Sequence, residues 1–163
     1  MGIEIERKFL LADDAWRQSV ERSIAMAQGY LGGERASVRV RIAGAEAQLN
    51  IKARVRGAAR AEFEYTIPVE DAQAMLAELS LPGRVEKTRH HVRHAGMLWE
   101  VDEFHGENAG LIVAEIELDA PGQTFEPPPW LGAEVTDKLR YYNANLLTHP
   151  YRSWSAEERR NAC

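Results

Sequence analysis

The sequence points to an α+β fold that is mainly β: an eight-stranded antiparallel β-barrel with a charged interior and flanking helices. Three observations lead there. Period-two patterning dominates the 163 residues. Strand-like stretches follow one another through short links, several of them marked by glycine, which suggests an antiparallel barrel. Most of those stretches also set charges on one face and mainly apolar residues on the other.

Strands are expected at 2–11, 24–33, 36–43, 46–55, 60–69, 84–95, 97–105 and 110–119, with turn signals at Gly32-Gly33, Gly44, Gly57 and Gly96. A first helix is expected behind the cap candidates Asp13 and Asp14, with Trp16 and Val20 one turn apart. A second is expected over about 70–80, where Ala72, Met75, Leu76 and Leu79 form an apolar stripe. A third is expected after Thr136, with Leu139, Tyr142 or Asn143, and Leu146 on one face. Pro127-Pro128-Pro129 ends strand structure before it and forces an extended segment. This reads as one domain over residues 1–150 followed by a polar tail at 151–163.

No run approaches the eighteen or so apolar residues of a membrane span. The N-terminus opens directly into a charged strand pattern with no apolar signal core. The single cysteine, Cys163, has no intrachain partner, so a cytoplasmic location is the default expectation. A net charge of −5 argues against nucleic acid as the main partner.

The charges carry more information than their sum. In the first strand Glu4, Glu6 and Lys8 share one face, opposite Ile3, Ile5, Arg7 and Phe9. Arg39 and Arg41 alternate with Val38, Val40 and Ile42, and Lys52 and Arg54 share a face with Asn50, opposite Ile51 and Val55. Glu62 and Glu64 oppose Phe63 and Tyr65, and Lys87 and Arg89 follow in the sixth strand. Asp102, with Glu100, opposes Val101, and Glu115 and Glu117 oppose Ala114, Ile116 and Leu118.

A single strand of this kind ordinarily turns its charges to solvent. Repeated so often, that arrangement would close a barrel around the apolar faces and leave the helix stripes nothing to cover. The inverted barrel packs those faces against helices and points the charges inward. Removing an unpaired ion from water costs at least several kcal/mol, so such an interior needs water, internal pairing or a ligand. Eight strands enclose room for one small ligand. Lys8, Arg39, Arg41, Lys52, Lys87 and Arg89 suit phosphate oxygens. Carboxylates in the same cavity require hard cations beside such a ligand, and oxygen-only donors favour Mg²⁺ or Mn²⁺. Basic groups for phosphate and acidic groups for metal describe a polyphosphate site.

The ordered set Glu4-x-Glu6-x-Lys8, Arg39-x-Arg41, Lys52, Glu62-x-Glu64, Lys87-x-Arg89, Asp102, Glu115-x-Glu117 and Arg140-Tyr-Tyr-Asn resembles the CYTH superfamily over about residues 2–147. Its members, also called triphosphate tunnel metalloenzymes, include class IV adenylate cyclases, thiamine triphosphatases and inorganic triphosphatases. The resemblance implies an eight-stranded tunnel, metal-dependent hydrolysis or cyclisation of a small-molecule triphosphate, and frequent homodimers. The short form is most similar to the bacterial inorganic triphosphatase branch. By resemblance, Glu4, Glu6, Glu115 and Glu117 match metal-binding positions, and Lys8, Arg39, Arg41, Lys52, Lys87, Arg89 and Arg140 match triphosphate-binding positions. Glu62, Glu64 and Asp102 match further acidic positions and are the candidates for a catalytic role. Arg54 faces either the tunnel mouth or solvent.

The leading expectation is hydrolysis of inorganic triphosphate. The alternatives are thiamine triphosphatase, adenylate cyclase, or a non-catalytic polyphosphate-binding module, and no aromatic or adenine-pocket signature singles out either organic substrate. Adjacent strand residues face opposite ways, so at most two of His90, His91 and His94 could converge; they read as surface or packing groups. Trp16, Trp99 and Trp130 read as packing between barrel and helix. Tyr30 either reaches the cavity or packs.

Overall fold

The computed structural model describes residues 2–54 and 59–160. The expected turn at Gly57, the apolar position Val55 and the terminal Cys163 lie outside the described residues. Nine strands form one sheet: β1 (Gly2–Leu11), β2 (Val20–Gly32), β3 (Ala36–Ala43), β4 (Glu46–Ala53), β5 (Ala59–Ile67), β6 (Val85–His94), β7 (Met97–Phe104), β8 (Ile112–Glu117) and β9 (Leu131–Glu134). Their order is β5-β4-β3-β2-β6-β7-β8-β1-β9, and β5 also pairs with β1, closing eight strands into an antiparallel barrel. The expected fold class is the observed one.

β1 closes the barrel by sharing one edge. Gly2–Ile5 pair with β5, and Phe9–Leu11 pair with β9. The ninth strand was not expected, because four residues behind three prolines are too short to display a period.

Alternation sets what each face meets. Outward Ile5, Phe9, Val92, Trp99, Val101, Ala114 and Ile116 pack with Trp16 and Trp130 into an external cluster. Helix α1 (Val69–Glu78) lays Ala72 and Leu76 over Val40 and Ala47 of the opposite wall. The three tryptophans therefore pack on the barrel as expected, but no α-helix joins their cluster.

The third cluster lies inside one end of the barrel. Along the inward columns, Lys8 gives way to Leu10, Lys87 to Val85, Asp102 to Phe104 and Glu115 to Val113. These apolar residues gather with Leu111, Val135, Tyr141, Leu146 and Trp154. The interior is thus charged along most of its length and plugged with apolar side chains at one end.

Three local expectations change. The helix expected after Asp13 and Asp14 is a 3-10 turn over Ala15–Ser19, and Val20 already opens β2, where β6 offers its backbone as a pairing partner. The helix expected after Thr136 is split into a 3-10 turn over Leu139–Tyr141 and α2 (Asn143–Thr148), because Tyr142 between them is extended. Leu139 is consequently exposed while Leu146 is buried. The stretch from 151, expected as a polar tail, includes a 3-10 turn over Tyr151–Ser153 and α3 (Ala156–Arg159), and its Trp154 is buried in the plug.

The β6–β7 hairpin turns on Ala95 and Gly96 with φ of 47° and 78°. Two consecutive left-handed residues match the right-handed twist of a tight hairpin. Among the described residues Ala95 is the one non-glycine residue that adopts positive φ. No helix among them is long and apolar enough to cross a membrane.

Candidate active site

The barrel encloses a cavity of about 1580 Å³, lined by Glu4, Glu6, Lys8, Arg39, Arg41, Lys52, Glu62, Glu64, Arg89, Glu115 and Glu117 among others. Eleven of the fourteen candidates singled out from the sequence therefore meet in one space. Tyr30 lines it too, as does the exposed Arg54 at its rim.

Three candidates stand elsewhere. Lys87 and Asp102 are buried at 2% and 0% exposure, behind the lining. Asp102 accepts from Arg89 Nε at 2.7 Å and Nη2 at 2.8 Å, and from the Lys87 ammonium. With both oxygens so engaged, Asp102 holds Arg89 in place from behind the lining. Arg140 is outside the lining as well. Its guanidinium carbon lies 5.6 Å from the Tyr141 ring centre and 5.7 Å from that of Trp154. Each of these three follows the alternation or the motif correctly; depth along the barrel and packing at its end remove them from the cavity.

The cations fall into two groups. Lys8 Nζ bridges Glu6 at 2.7 Å and Glu115 at 2.5 Å. Lys52 Nζ holds Glu4 at 2.6 Å and lies 3.4 Å from Glu62. Arg89 reaches Glu100 at 2.6 Å and Glu115 at 2.9 Å besides Asp102. By contrast, Arg39 donates to the amide oxygen of Asn50 at 3.1 Å, and Arg41 to that of Gln48 at 2.6 Å. The Nε atoms of both arginines are buried without a hydrogen-bond partner among the described residues.

Electrostatics follow this division. Burial opposes ionisation of Glu115, but Lys8 and Arg89 outweigh it and hold its carboxyl well below the usual range. Burial raises Glu6, with Glu115 adding to the effect. Burial also raises Glu117, reinforced by Glu4, Glu100 and Glu62. Burial depresses Arg41, and Arg39 and Arg89 push the same way. One wall thus carries crowded acids and another carries cations short of counter-charge.

Two of the residues that line or bridge the site, Arg60 and Gln48, carried no expectation from the sequence, and two more, Glu100 and Asn50, were placed on charged faces without a role. Arg60 lies two residues before Glu62 on the same face, and its Nη2 is 3.3 Å from Glu4. Glu100 likewise shares the inward face of Asp102 and lines the cavity. Their parity was a readable signal. Asn50 was readable on the face of Lys52, but that it and Gln48 join arginines to glutamates was not, because a neutral amide does not announce its partners. His90 stands outside the barrel between Ser23 at 2.8 Å and Glu103 at 3.2 Å, and its ring packs on Trp16.

Over residues 2–151 the chain matches the CYTH domain. The chain belongs to the CYTH family. Its relatives include an inorganic triphosphatase of Acetivibrio thermocellus, 42% identical over 94% of this chain and 99% of that protein. Another is an inorganic triphosphatase of Nitrosomonas europaea, 36% identical over 88% of this chain and 95% of that protein. Among solved structures, the inorganic triphosphatase NE1496 superposes with a TM-score of 0.65 at 34% identity, covering 90% of this CYTH chain and 95% of its own.

Among the described residues, no three carboxylate, imidazole or thiol groups are gathered as a ready metal cage. In this CYTH chain the acidic oxygens are instead turned to Lys8, Lys52, Arg60 and Arg89. Their chemistry nonetheless suits a hard cation. Glu6 lies directly opposite Glu117 across β1 and β8, and Glu100 opposite Glu115 across β7 and β8. Like charges paired this way repel, and an added divalent cation would relieve them.

Proposed function

We propose that this chain hydrolyses inorganic triphosphate to diphosphate and phosphate in the presence of Mg²⁺ or Mn²⁺. The observation that carries the reading is the pair Arg39 and Arg41, whose Nε donors are buried and unpartnered among the described residues, in a barrel cavity that also holds a crowded acidic wall. The two curated relatives named inorganic triphosphatase support the choice of substrate.

In this proposal Arg39 and Arg41 offer guanidinium forks to the phosphate oxygens, with Lys8, Lys52 and Arg89 completing the basic set. Glu4, Glu6, Glu115 and Glu117 would hold the divalent cation, which when bound offsets phosphate charge and lowers the pKa of water. The barrel walls fix the phosphate chain for in-line attack: water oxygen bonds to a terminal phosphorus as the bridging bond breaks and diphosphate departs. Arg89 cannot swing far, since Asp102 grips it from behind. That rigidity keeps a donor aimed at developing charge without reorganisation.

The test is phosphate release from inorganic triphosphate, thiamine triphosphate and ATP in parallel, with Mg²⁺ or Mn²⁺ and with a chelator, and with cyclic AMP measured in the ATP sample. Turnover of inorganic triphosphate that vanishes with chelator is expected. Full activity in chelated buffer overturns the metal assignment, and binding without turnover of any substrate replaces hydrolysis with a regulatory role.

The proposal extends to a cytoplasmic homodimer. A single cysteine suits a reducing compartment. Ile3 at 72% and Tyr65 at 55% exposure place apolar surface on the outer wall. Sedimentation equilibrium should return twice the chain mass, and a single-chain mass rejects the dimer.

A further inference from the structure

Strands β3, β4 and β5 carry a repeated three-part unit. On β3 stand Arg39 and Arg41, on β4 their direct register partners Asn50 and Gln48, and on β5 the acids Glu62 and Glu64. Arg39 Nη2 donates to Asn50 Oδ1 at 3.1 Å, and Asn50 Nδ2 donates to Glu64 at 2.5 Å and Glu62 at 3.2 Å. Arg41 Nη2 donates to Gln48 Oε1 at 2.6 Å, and Gln48 Nε2 donates to Glu64 at 2.8 Å. In each unit an amide separates a cation from an anion.

The orientation of both amides follows from their neighbours. A guanidinium only donates and a carboxylate only accepts, so each amide must turn oxygen to arginine and nitrogen to glutamate. Asn50 is fully buried and uses both ends. The amides also use the strand spacing: β3 and β5 stand two strands apart, roughly 10 Å, a gap that long side chains could otherwise close. Arg41 and Glu64 approach to 4.0 Å, short of a hydrogen bond.

We infer that Gln48 and Asn50 are positioning residues that keep Arg39 and Arg41 out of direct carboxylate pairs, so that both guanidinium groups stay open to phosphate oxygens. The inference rests on the triphosphate reading of the same cavity. The other cations show the alternative. Lys8, Lys52, Lys87 and Arg89 each contact at least one carboxylate at hydrogen-bond distance, and a ligand must compete with that partner. Among the described residues Arg39 and Arg41 donate their side-chain hydrogen bonds to neutral amide oxygens, with Glu64 no nearer to Arg41 than 4.0 Å, and a phosphate displaces such partners far more readily. The amides thus divide the cavity into an arginine wall ready for phosphate and walls whose cations are already neutralised.

The deciding variant exchanges amide and acid: Gln48→Glu together with Glu64→Gln. Cavity charge is unchanged, and the hydrogen-bond chain is preserved, since the carboxylate placed at position 48 accepts from Arg41 and from the amide placed at position 64. Only the position of the carboxylate moves, onto Arg41. Calorimetric binding of inorganic triphosphate should weaken tenfold or more relative to wild type, while Glu64→Gln alone should bind at least as tightly as wild type. Asn50→Asp should weaken binding similarly through Arg39. KM should rise with binding loss, and urea unfolding of the exchange variant should match wild type, which a merely structural role does not predict.

Wild-type affinity in the folded exchange variant overturns the inference. So does a loss of equal size in Glu64→Gln alone, because it assigns the effect to the acid itself. Binding is read separately from turnover, so a wild-type protein that binds triphosphate without cleaving it rejects the hydrolase reading and leaves this test intact. Failure of the wild type to bind inorganic triphosphate overturns both.

Discussion

The Asp102 carboxylate takes the Arg89 guanidinium side-on, with Nε 2.7 Å from Oδ1 and Nη2 2.8 Å from Oδ2. These distances bring fork and acid into direct contact, and Asp102 is wholly buried. Removing the acid's charge takes the carboxylate from buried Lys87 and one of three from Arg89, and breaking a buried pair costs about 3–5 kcal/mol. Asp102→Asn should therefore lower urea stability by that order, even though its outline is preserved. Unchanged stability with lost turnover would return Asp102 to a direct catalytic role.

Lys87 supplies a pH signature. Burial pulls its ammonium down to about 8 against the attraction of Asp102. An unfolded lysine titrates near 10.4, so between these values the unfolded chain binds more protons than the folded one. Stability from this group is therefore reduced below about pH 8 and rises with pH up to about 10.4. The stability difference between wild type and Lys87→Met, taken from urea curves, should move in favour of wild type across that window. A constant difference contradicts the assignment.

The acidic and basic sets should separate under metal titration. Glu117→Gln removes a charged metal ligand from the proposed site, so turnover should fall steeply and recover at higher Mg²⁺ or Mn²⁺. Arg41→Ala should weaken triphosphate binding by about 1.5–3 kcal/mol, the scale of a charge-assisted hydrogen bond, and excess metal should not restore it. Rescue of Arg41→Ala and not of Glu117→Gln reverses the roles.

Trp154 should matter to stability despite lying in a polar stretch. Its ring meets Tyr141 and Tyr151 edge-on, each at 5.1 Å between centres, inside the apolar plug. Trp154→Ala should cost about 3–5 kcal/mol, the usual range for a buried aromatic. Deleting 151–163 should do at least as much damage. A truncated protein with unchanged urea midpoint removes the C-terminal stretch from the plug.

Ala95 offers the opposite sign. At φ 47° it sits in the left-handed region that a Cβ disfavours by about 1–2 kcal/mol. Ala95→Asn should raise stability by several tenths of a kcal/mol or more, read as a higher urea midpoint with unchanged activity. A lower midpoint shows that the Ala95 side chain contributes packing that outweighs its strain.

Alternation made the barrel and its inward charges readable before any coordinate. A residue's face depends only on its parity within a strand, so Glu4, Glu6, Lys8, Arg39, Arg41, Lys52, Glu62, Glu64, Arg89, Glu115 and Glu117 could be grouped as one lining, and they line one cavity. Helix α1 was legible except at its end: Ala72, Met75 and Leu76 pack on the wall as the stripe suggested, whereas Leu79 falls at the C-cap and is exposed. Pairing is not local. Whether Lys8 meets Glu115 or another acid depends on how β1 registers against β8, over a hundred residues away. Depth along the barrel is likewise a global quantity, which is why Lys87 and Asp102 share the parity of Arg89 yet lie behind the cavity. Trp154 and Leu131–Glu134 went unread for the same reason: each is stabilised by a surface built from distant strands, and neither carries a period of its own. Parity is written residue by residue along the chain; partners and depth exist only once the sheet has closed.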